Sequence, residues 1–288
     1  MEPNDSNNRD YSTISPSAMA LLLLKGYTNI PFARQAAALM VAPQKYEPDF
    51  EQRDLRFWAR VVHFESRYWS IDQLMTGLPI KNILEISSGF SFRGLAAVQQ
   101  DSVHYIDTDL PEVIALKKQF IDALQPTPNP KSKLEVLPLN ALDEDAFEAV
   151  INRFAPGEPV LIVNEGLLMY LGMTEKEKLC RIIQKVLQER GGYWITADIY
   201  IKQRAAIIGM EPDDELNRFF EKHNVREQMF ESFDAARTFF EAQKFVIDKE
   251  AERDPDKLSA LPYLIQNATN EQLKSLRQAG RIQATWRM

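Results

Sequence analysis

The sequence predicts an α/β fold, a doubly wound and mostly parallel seven-stranded sheet that carries an N-terminal helical extension and an inserted helical lid. Three observations predict it. Five short apolar runs between Asn82 and Ile199 alternate with amphipathic segments, the pattern of strands joined by crossover helices. The chain before them is helical in period rather than alternating. After them a charged, aromatic helical tract precedes two final strand-like runs. A chain of 288 residues can bury a large core as one domain with an elaboration.

Residues 1–10 are rich in Asn and Asp with almost no apolar content, which predicts a disordered leader. Residues 11–288 are then a single domain, opened by a helical cap over 11–78. From Ser17 to Met40 two apolar stretches flank Gly26, Asn29 and Pro31, which break a helix and predict a helical hairpin. Phe50 to Leu78 predicts one long helix, with Leu55, Trp58, Val61, Val62, Trp69 and Leu74 at helix-face spacing and Gly77 and Pro79 ending it. The core over 80–199 takes strands at Asn82 to Ile86, Ser102 to Ile106, Leu134 to Pro138, Val160 to Asn164 and Tyr193 to Ile199. Helices at Gly94 to Gln99, Pro111 to Leu124, Asp143 to Phe154 and Thr174 to Arg190 fall between them. Thr174 and Glu177 predict a capping box for the last helix, and Gly191 with Gly192 a left-handed stop. The lid occupies 200–242, and 243–288 supplies the closing strands, Gln243 to Ile247 and Gln283 to Met288.

Composition narrows the partners. With 34 basic against 41 acidic residues the formal charge is −7, which repels a phosphate backbone and an anionic bilayer, so neither nucleic acid nor membrane is expected as a partner. The apolar run Ala18 to Leu24 is too short to span a bilayer and follows an acidic leader, and the protein is expected to be cytoplasmic. Cys180 is the one cysteine. It lies in a predicted helix, where it packs as a small apolar side chain. No metal site is expected.

Chemistry concentrates at strand ends. Asn82-Ile-Leu-Glu85-Ile-Ser87-Ser-Gly89-Phe-Ser-Phe-Arg93-Gly94 is an apolar strand ending in an acid and running through small residues into a helix. Such a turn aims free backbone N–H groups at the crevice beyond the sheet, where adenosine-type ligands bind. Only Gly89 and Gly94 remain of a Gly-x-Gly-x-x-Gly pattern, which disfavours a pyrophosphate. The second strand ends in Asp107-Thr-Asp109-Leu-Pro111, and a carboxylate leaving that strand is placed to grip a ribose diol. One of the two acids is expected to face the ligand; both could equally be solvated turn residues or the cap of the next helix. The fourth strand runs into Asn164-Glu165-Gly-Leu-Leu-Met-Tyr170-Leu171, which puts Glu165 beside the same crevice.

These three motifs, with Lys117 and Lys118 behind the second, resemble the leucine carboxyl methyltransferase and related polyketide O-methyltransferase group. The resemblance covers Tyr11 to Ile199 and implies a class I, Rossmann-like fold that binds S-adenosylmethionine and releases S-adenosylhomocysteine. It implies that Arg60, in Ala59-Arg60-Val61, pairs with the methionine carboxylate, and that Ser87 and Gly89 lie under the cofactor beside Glu85. It gives the ribose to Asp109, with Asp107 as the less favoured substitute, and the adenine edge to Asn140 and Ala141. Glu165 matches a family acid at the cofactor, and Tyr170 an active-site tyrosine. Ser87 stands where the family usually has glycine, and Asn140 where aspartate is common. The sequence shows no counterpart of the lysine of the protein-carboxyl members, which sets a protein C-terminus aside as substrate.

The resulting expectation is O-methylation of a small molecule, at a carboxylate or a hydroxyl, with Tyr170, Tyr200 and Arg204 shaping the acceptor pocket. A carboxylate acceptor needs no base, and His63, His104 and His223 read as structural, which favours a carboxylate or acidic hydroxyl. Two alternatives are a nicotinamide oxidoreductase on a similar sheet and a module that binds the S-adenosyl ligand without catalysis. The sequence leaves oligomeric state open.

Overall fold

The structure, a computed structural model, describes residues 15–42, 45, 48–51, 53–124, 127, 129–202, 221–279 and 281–288. Arg204, most of the expected lid and the leader lie outside them. The core is a seven-stranded sheet of β1 (Asn82–Ile86), β2 (His104–Asp109), β3 (Lys133–Pro138), β4 (Val160–Asn164), β5 (Gly192–Tyr200), β6 (Lys249–Glu250) and β7 (Gln283–Arg287) in the order β3-β2-β1-β4-β5-β7-β6. β1 to β5 are parallel, and β7 runs antiparallel to both β5 and β6. β1 and β4 are buried at every residue, as expected of strands covered on both faces. The strand order reverses between β1 and β4, the place where open parallel sheets bind ligands at their carboxyl ends.

Helices α1 (Ser15–Lys25), α2 (Ala33–Met40) and α3 (Leu55–Met75) form the N-terminal cap, with α1 against α2 and α3, and α3 lying on β5 and β7. Asp54 caps α3 by accepting from Phe57 N (2.8 Å), and Gly77 ends the segment at φ +80°. The crossovers are α4 (Arg93–Gln100), α5 (Pro111–Leu124), α6 (Glu144–Ile151) and α7 (Met173–Arg190). One face of the sheet packs on α6 and α7 through Phe147, Val150, Leu179, Ile183 and Trp194. The other packs Ile71, Leu74, Val98 and Tyr105 against Ile83 and Leu161. Cys180 lies in the first of these cores, and burial pushes its thiol up to about 12. Gly94 is required on steric grounds, since a Cβ there would meet the Tyr105 ring at 2.6 Å.

Several boundaries differ from expectation for local reasons. β2 runs on to Asp109 because β3 continues to pair with it as far as Pro138. The box at the head of α7 is set two residues earlier than Thr174 and Glu177, with Glu175 accepting from Gly172 N (2.7 Å). Asp143 caps α6, accepting from Ala146 N, and that helix ends at Ile151 rather than Phe154. Residues 243–247 are not the expected strand: Gln243 and Lys244 end a short helix, α9 (Phe233–Ala242), Lys244 has φ +64°, and the pairing begins only at Lys249. Before α9 lies a single helical turn, α8 (Val225–Gln228). Ala260 leads into α10 (Leu261–Gln266), and α11 (Asn270–Ala279) precedes β7. Among the described residues no helix is long and apolar enough to cross a membrane.

Candidate active site

Register fixes the neighbourhood. Glu85 on β1 lies opposite Asp107 on β2 and Val163 on β4, so the carboxyl ends of the three strands sit side by side. The turn after β1 holds Ser87 at φ +51° and Gly89 at φ +52°. Gly89 N donates to Asp109 Oδ2 (2.6 Å) and Leu110 N to Asp109 Oδ1 (2.7 Å). Burial pushes the Asp109 carboxyl up and these two amides work against the shift. Ser87, Gly89 and Asp109 all remain half-buried, within reach of a ligand.

Asp107 has a different fate. Residues two apart share a side of a regular strand, so strand alternation does not separate Asp107 from Asp109; a lysine does. Lys117 on α5, itself fully buried, donates to Asp107 Oδ1 (2.7 Å) and to Ser88 Oγ (2.9 Å), locking that carboxylate beneath the turn. Glu85 is also fully buried, and its Oε2 accepts from Tyr105 OH (2.6 Å). Burial and the nearby Asp107 charge push the Glu85 carboxyl up to about 7. Thus two of the acids assigned to the cofactor by resemblance lie under the turn rather than at its surface.

Glu165, just past β4, is where charge gathers. Its Oε1 accepts from Lys25 Nζ at the end of α1 (2.7 Å) and from Arg67 Nε on α3 (3.2 Å), and its Oε2 from Arg93 Nη2 at the start of α4 (3.2 Å). All four side chains are less than a tenth exposed. Burial opposes the Glu165 charge, but the three cations outweigh it and hold the carboxyl at about 2. Burial pulls the Lys25 amine below its ordinary value. Arg93 also pairs with Asp72 and stacks 3.8 Å over the Tyr68 ring. The turn that carries Glu165 is held by Asp198 on β5, which accepts from Gly166 N (2.6 Å), Leu167 N (2.6 Å) and Leu168 N (3.1 Å). Asn164 steadies Asp198 through its amide (2.6 Å).

Arg67 extends the cluster to Tyr200 at the end of β5, donating from Nη1 to the phenol oxygen (3.1 Å). The Tyr200 hydroxyl is also 2.8 Å from His63 Nε2, one helical turn before Arg67 on α3. Burial pushes Tyr200 up to about 12, and burial with the Arg67 charge pushes His63 down to about 4. Tyr170, in a short 3₁₀ turn (Leu168–Tyr170), packs with Met169, Tyr200, Val225 and Met229.

The structure therefore brings together Gly89, Asp109, Glu165, Tyr170 and Tyr200. Arg60 is not in the cluster: its charged neighbours are Asp54 and Arg56 near the start of α3. Arg67 is seven residues further along, two turns on the same helix face, so the sequence reading reached the right face and the wrong turn. Asn140 is exposed, its Oδ1 accepting from Leu142 N (3.0 Å), and Ala141 is buried beside it. Lys25, Arg67, Arg93 and His63 were not singled out for this role by sequence. A lysine thus does reach the site, which removes the ground on which a protein C-terminus was set aside.

A seven-stranded sheet of this order, with acids and glycine at the ends of β1, β2 and β4, defines a class I, Rossmann-like methyltransferase fold. Residues 13–184, more than half of the chain, match the leucine carboxyl methyltransferase family, and the chain belongs to that family of S-adenosylmethionine-dependent methyltransferases. Among solved structures, a DUF574 family protein from Streptomyces avermitilis is 13% identical over 93% of this chain and 95% of its own, with a TM-score of 0.51. Geranyl diphosphate C-methyltransferase from Streptomyces coelicolor, solved with Mg2+, geranyl diphosphate and S-adenosyl-L-homocysteine, is 14% identical over 82% of this chain and 84% of its own, with a TM-score of 0.49. At such identities the likeness speaks to the fold. Comparison with curated protein sequences gave no match.

Proposed function

We propose that this chain binds S-adenosylmethionine at the ends of β1, β2 and β4 and transfers its methyl group to an oxygen of a small molecule. The observation that carries the reading is the Glu165 cluster, in which one carboxylate faces three buried cations. That donor set suits an amino-acid zwitterion. Lys25, Arg67 or Arg93 can turn a hydrogen bond to a ligand carboxylate, while Glu165 remains ionised to receive an ammonium. The residues between β1 and β2 suit the other end of the ligand. Asp109 is pinned by two backbone amides, which orients its remaining lone pairs for a ribose diol, and the open turn at Ser87 and Gly89 admits backbone-close approach. Asn140 and Ala141 fall where the adenine edge would lie.

When bound, the cofactor supplies an activated methyl on a sulfonium, so the protein's work is alignment and exclusion of water. Arg67 links the Glu165 end to the Tyr200 hydroxyl, and Tyr170 packs against Tyr200. Together they form the wall against which an acceptor would be held, to be completed by the segment that includes Arg204. The domain organisation fits this division of labour: cap residues supply Lys25 and Arg67, and the 80–199 core supplies the strand ends.

The test is calorimetry on the purified chain. Binding of S-adenosylhomocysteine with none of NADH supports the proposal; the reverse result replaces it with the nicotinamide reading. Ligand binding with no methyl transfer to any acceptor would reduce the protein to a binding module.

A further inference from the structure

The hydrogen-bond directions around Tyr200 select among acceptor chemistries. A guanidinium donates and never accepts, so at the Arg67 Nη1 contact the Tyr200 oxygen must be the acceptor. Its single proton is then left for His63 Nε2, 2.8 Å away, which receives it as a neutral imidazole protonated on Nδ1. Among the described residues Arg67 and His63 are the two printed partners of this hydroxyl, and one acceptor position of the phenol oxygen is left over. A tyrosine so arranged can only accept from a ligand. It suits an incoming O–H and repels an incoming carboxylate.

We propose that Tyr200 and His63 form a proton relay that serves a hydroxyl-bearing methyl acceptor, specifically a phenol or enol. This rests on the methyl-transfer reading above and chooses within it. In the step, the acceptor oxygen bonds to the methyl carbon as the carbon–sulfur bond breaks. The acceptor's proton passes to the Tyr200 oxygen as the Tyr200 proton passes to His63 Nε2, and the electron pair of the broken bond stays on sulfur. Tyr200 is the catalytic residue, in contact with the acceptor, and His63 is a positioning residue that also takes the relayed proton.

The acidity of the acceptor follows from what faces His63. Arg67 on its own helix opposes an imidazolium, Glu165 from the end of β4 favours one, and Tyr200 from β5 is neutral; the net result is a ring held near 4. So weak a base serves an acidic hydroxyl and not an alkyl alcohol. The half-buried His63 can return its proton to water after transfer.

The experiment supplies labelled S-adenosylmethionine with a panel of phenols, enols and matching carboxylic acids to wild type, Tyr200→Phe and His63→Gln. The glutamine can still accept the Tyr200 hydrogen bond but cannot take its proton. Phenols or enols should be methylated by wild type, with kcat falling on the order of a hundredfold in both variants. KM and the affinity for S-adenosylhomocysteine should stay nearly unchanged. Independently of turnover, nitrogen NMR of the ligand-free protein should show His63 as a single neutral tautomer whose Nε2 signal moves in Tyr200→Phe. Methylation of carboxylic acids alone, or of no hydroxyl compound by a protein that binds S-adenosylhomocysteine, overturns the proposal, as does an unaffected kcat or an Nε2-protonated tautomer. Failure to bind any S-adenosyl ligand would instead bring down the underlying reading.

Discussion

Two buried ion systems lie a few residues apart at the carboxyl edge of this sheet, and they are built on opposite principles. Under the β1 turn, Lys117 meets Asp107 and Ser88, one cation for one carboxylate, with none of the three more than 6% exposed. At the end of β4, Glu165 meets Lys25, Arg67 and Arg93. A one-to-one pair is closed, because each charge is already answered and nothing is left to offer a ligand. A one-to-three cluster is open, because its cations share one partner and any of them can be redirected. The first arrangement fixes a loop, and the second can recognise.

The sharpest way to break that comparison is Lys117→Met. Removing one partner of a closed pair strands a buried carboxylate, so stability to urea should fall by about 3–5 kcal/mol. Replacing both members, as Lys117→Met with Asp107→Leu, should return most of the loss. A cost below about 1 kcal/mol for the single change would show that Asp107 is not locked as drawn.

Acid should act chiefly on the open cluster. The folded Glu165 carboxyl sits at about 2 against an ordinary 4.5, so its stabilising contribution is complete above pH 4.5 and is lost as pH falls toward 2. The loss is on the order of 3 kcal/mol. His63, lowered from 6.5 to about 4, adds to the same acid arm, since the unfolded chain takes up that proton first as pH falls below 6.5. Glu85 has the opposite sign: raised to about 7, it withdraws stability as pH climbs from 4.5 toward 7. Unfolding midpoints measured from pH 3 to 8 should therefore pass through a maximum, and Glu165→Gln should flatten the arm below pH 4.5. An unchanged arm in that variant would place the acid sensitivity elsewhere.

Lys25→Met then separates recognition from stability. Arg67 and Arg93 continue to answer Glu165, so the urea midpoint should move little, while affinity for S-adenosylhomocysteine should drop by about 1.5–3 kcal/mol, the worth of a charge-assisted contact. Calorimetry on folded protein reads the second quantity directly. If stability falls and affinity does not, the cluster is structural and the contrast with Lys117 disappears.

The same contrast explains what could be read from sequence. β1, β4 and α5 were legible to the residue, because apolar runs, Pro111 and turn residues mark their ends locally. Gly89, Asp109 and Glu165 were legible because a carboxylate at a strand end has few other reasons to be there. The cations that meet Glu165 were not, because each comes from a different helix and only tertiary packing brings them together. A signal was nonetheless present. Arg67 lies between Phe64 and Ile71 on the buried stripe of α3, as Lys117 lies among Val113, Ile114 and Phe120 on α5. A charge on the apolar face of an amphipathic helix must be answered by a buried partner, and searching for such charges would have found Arg67 in place of Arg60. Periodicity cannot say which partner answers it, and so cannot tell a closed pair from an open cluster.

The smallest effect is expected at the turn that joins the two systems. Ser87 holds φ +51°, a glycine conformation kept by a residue with a Cβ. That costs about 1–2 kcal/mol. Glycine would remove the strain and return about 0.5–1 kcal/mol of it as extra freedom of the unfolded chain. Ser87→Gly should therefore raise the thermal midpoint by about 1–3 °C. Because the turn already has the shape that glycine prefers, affinity for S-adenosylhomocysteine should stay within about twofold, less than 0.5 kcal/mol. A clear fall in affinity would instead mean that the Ser87 hydroxyl touches the ligand, and that the strained backbone is there to aim it.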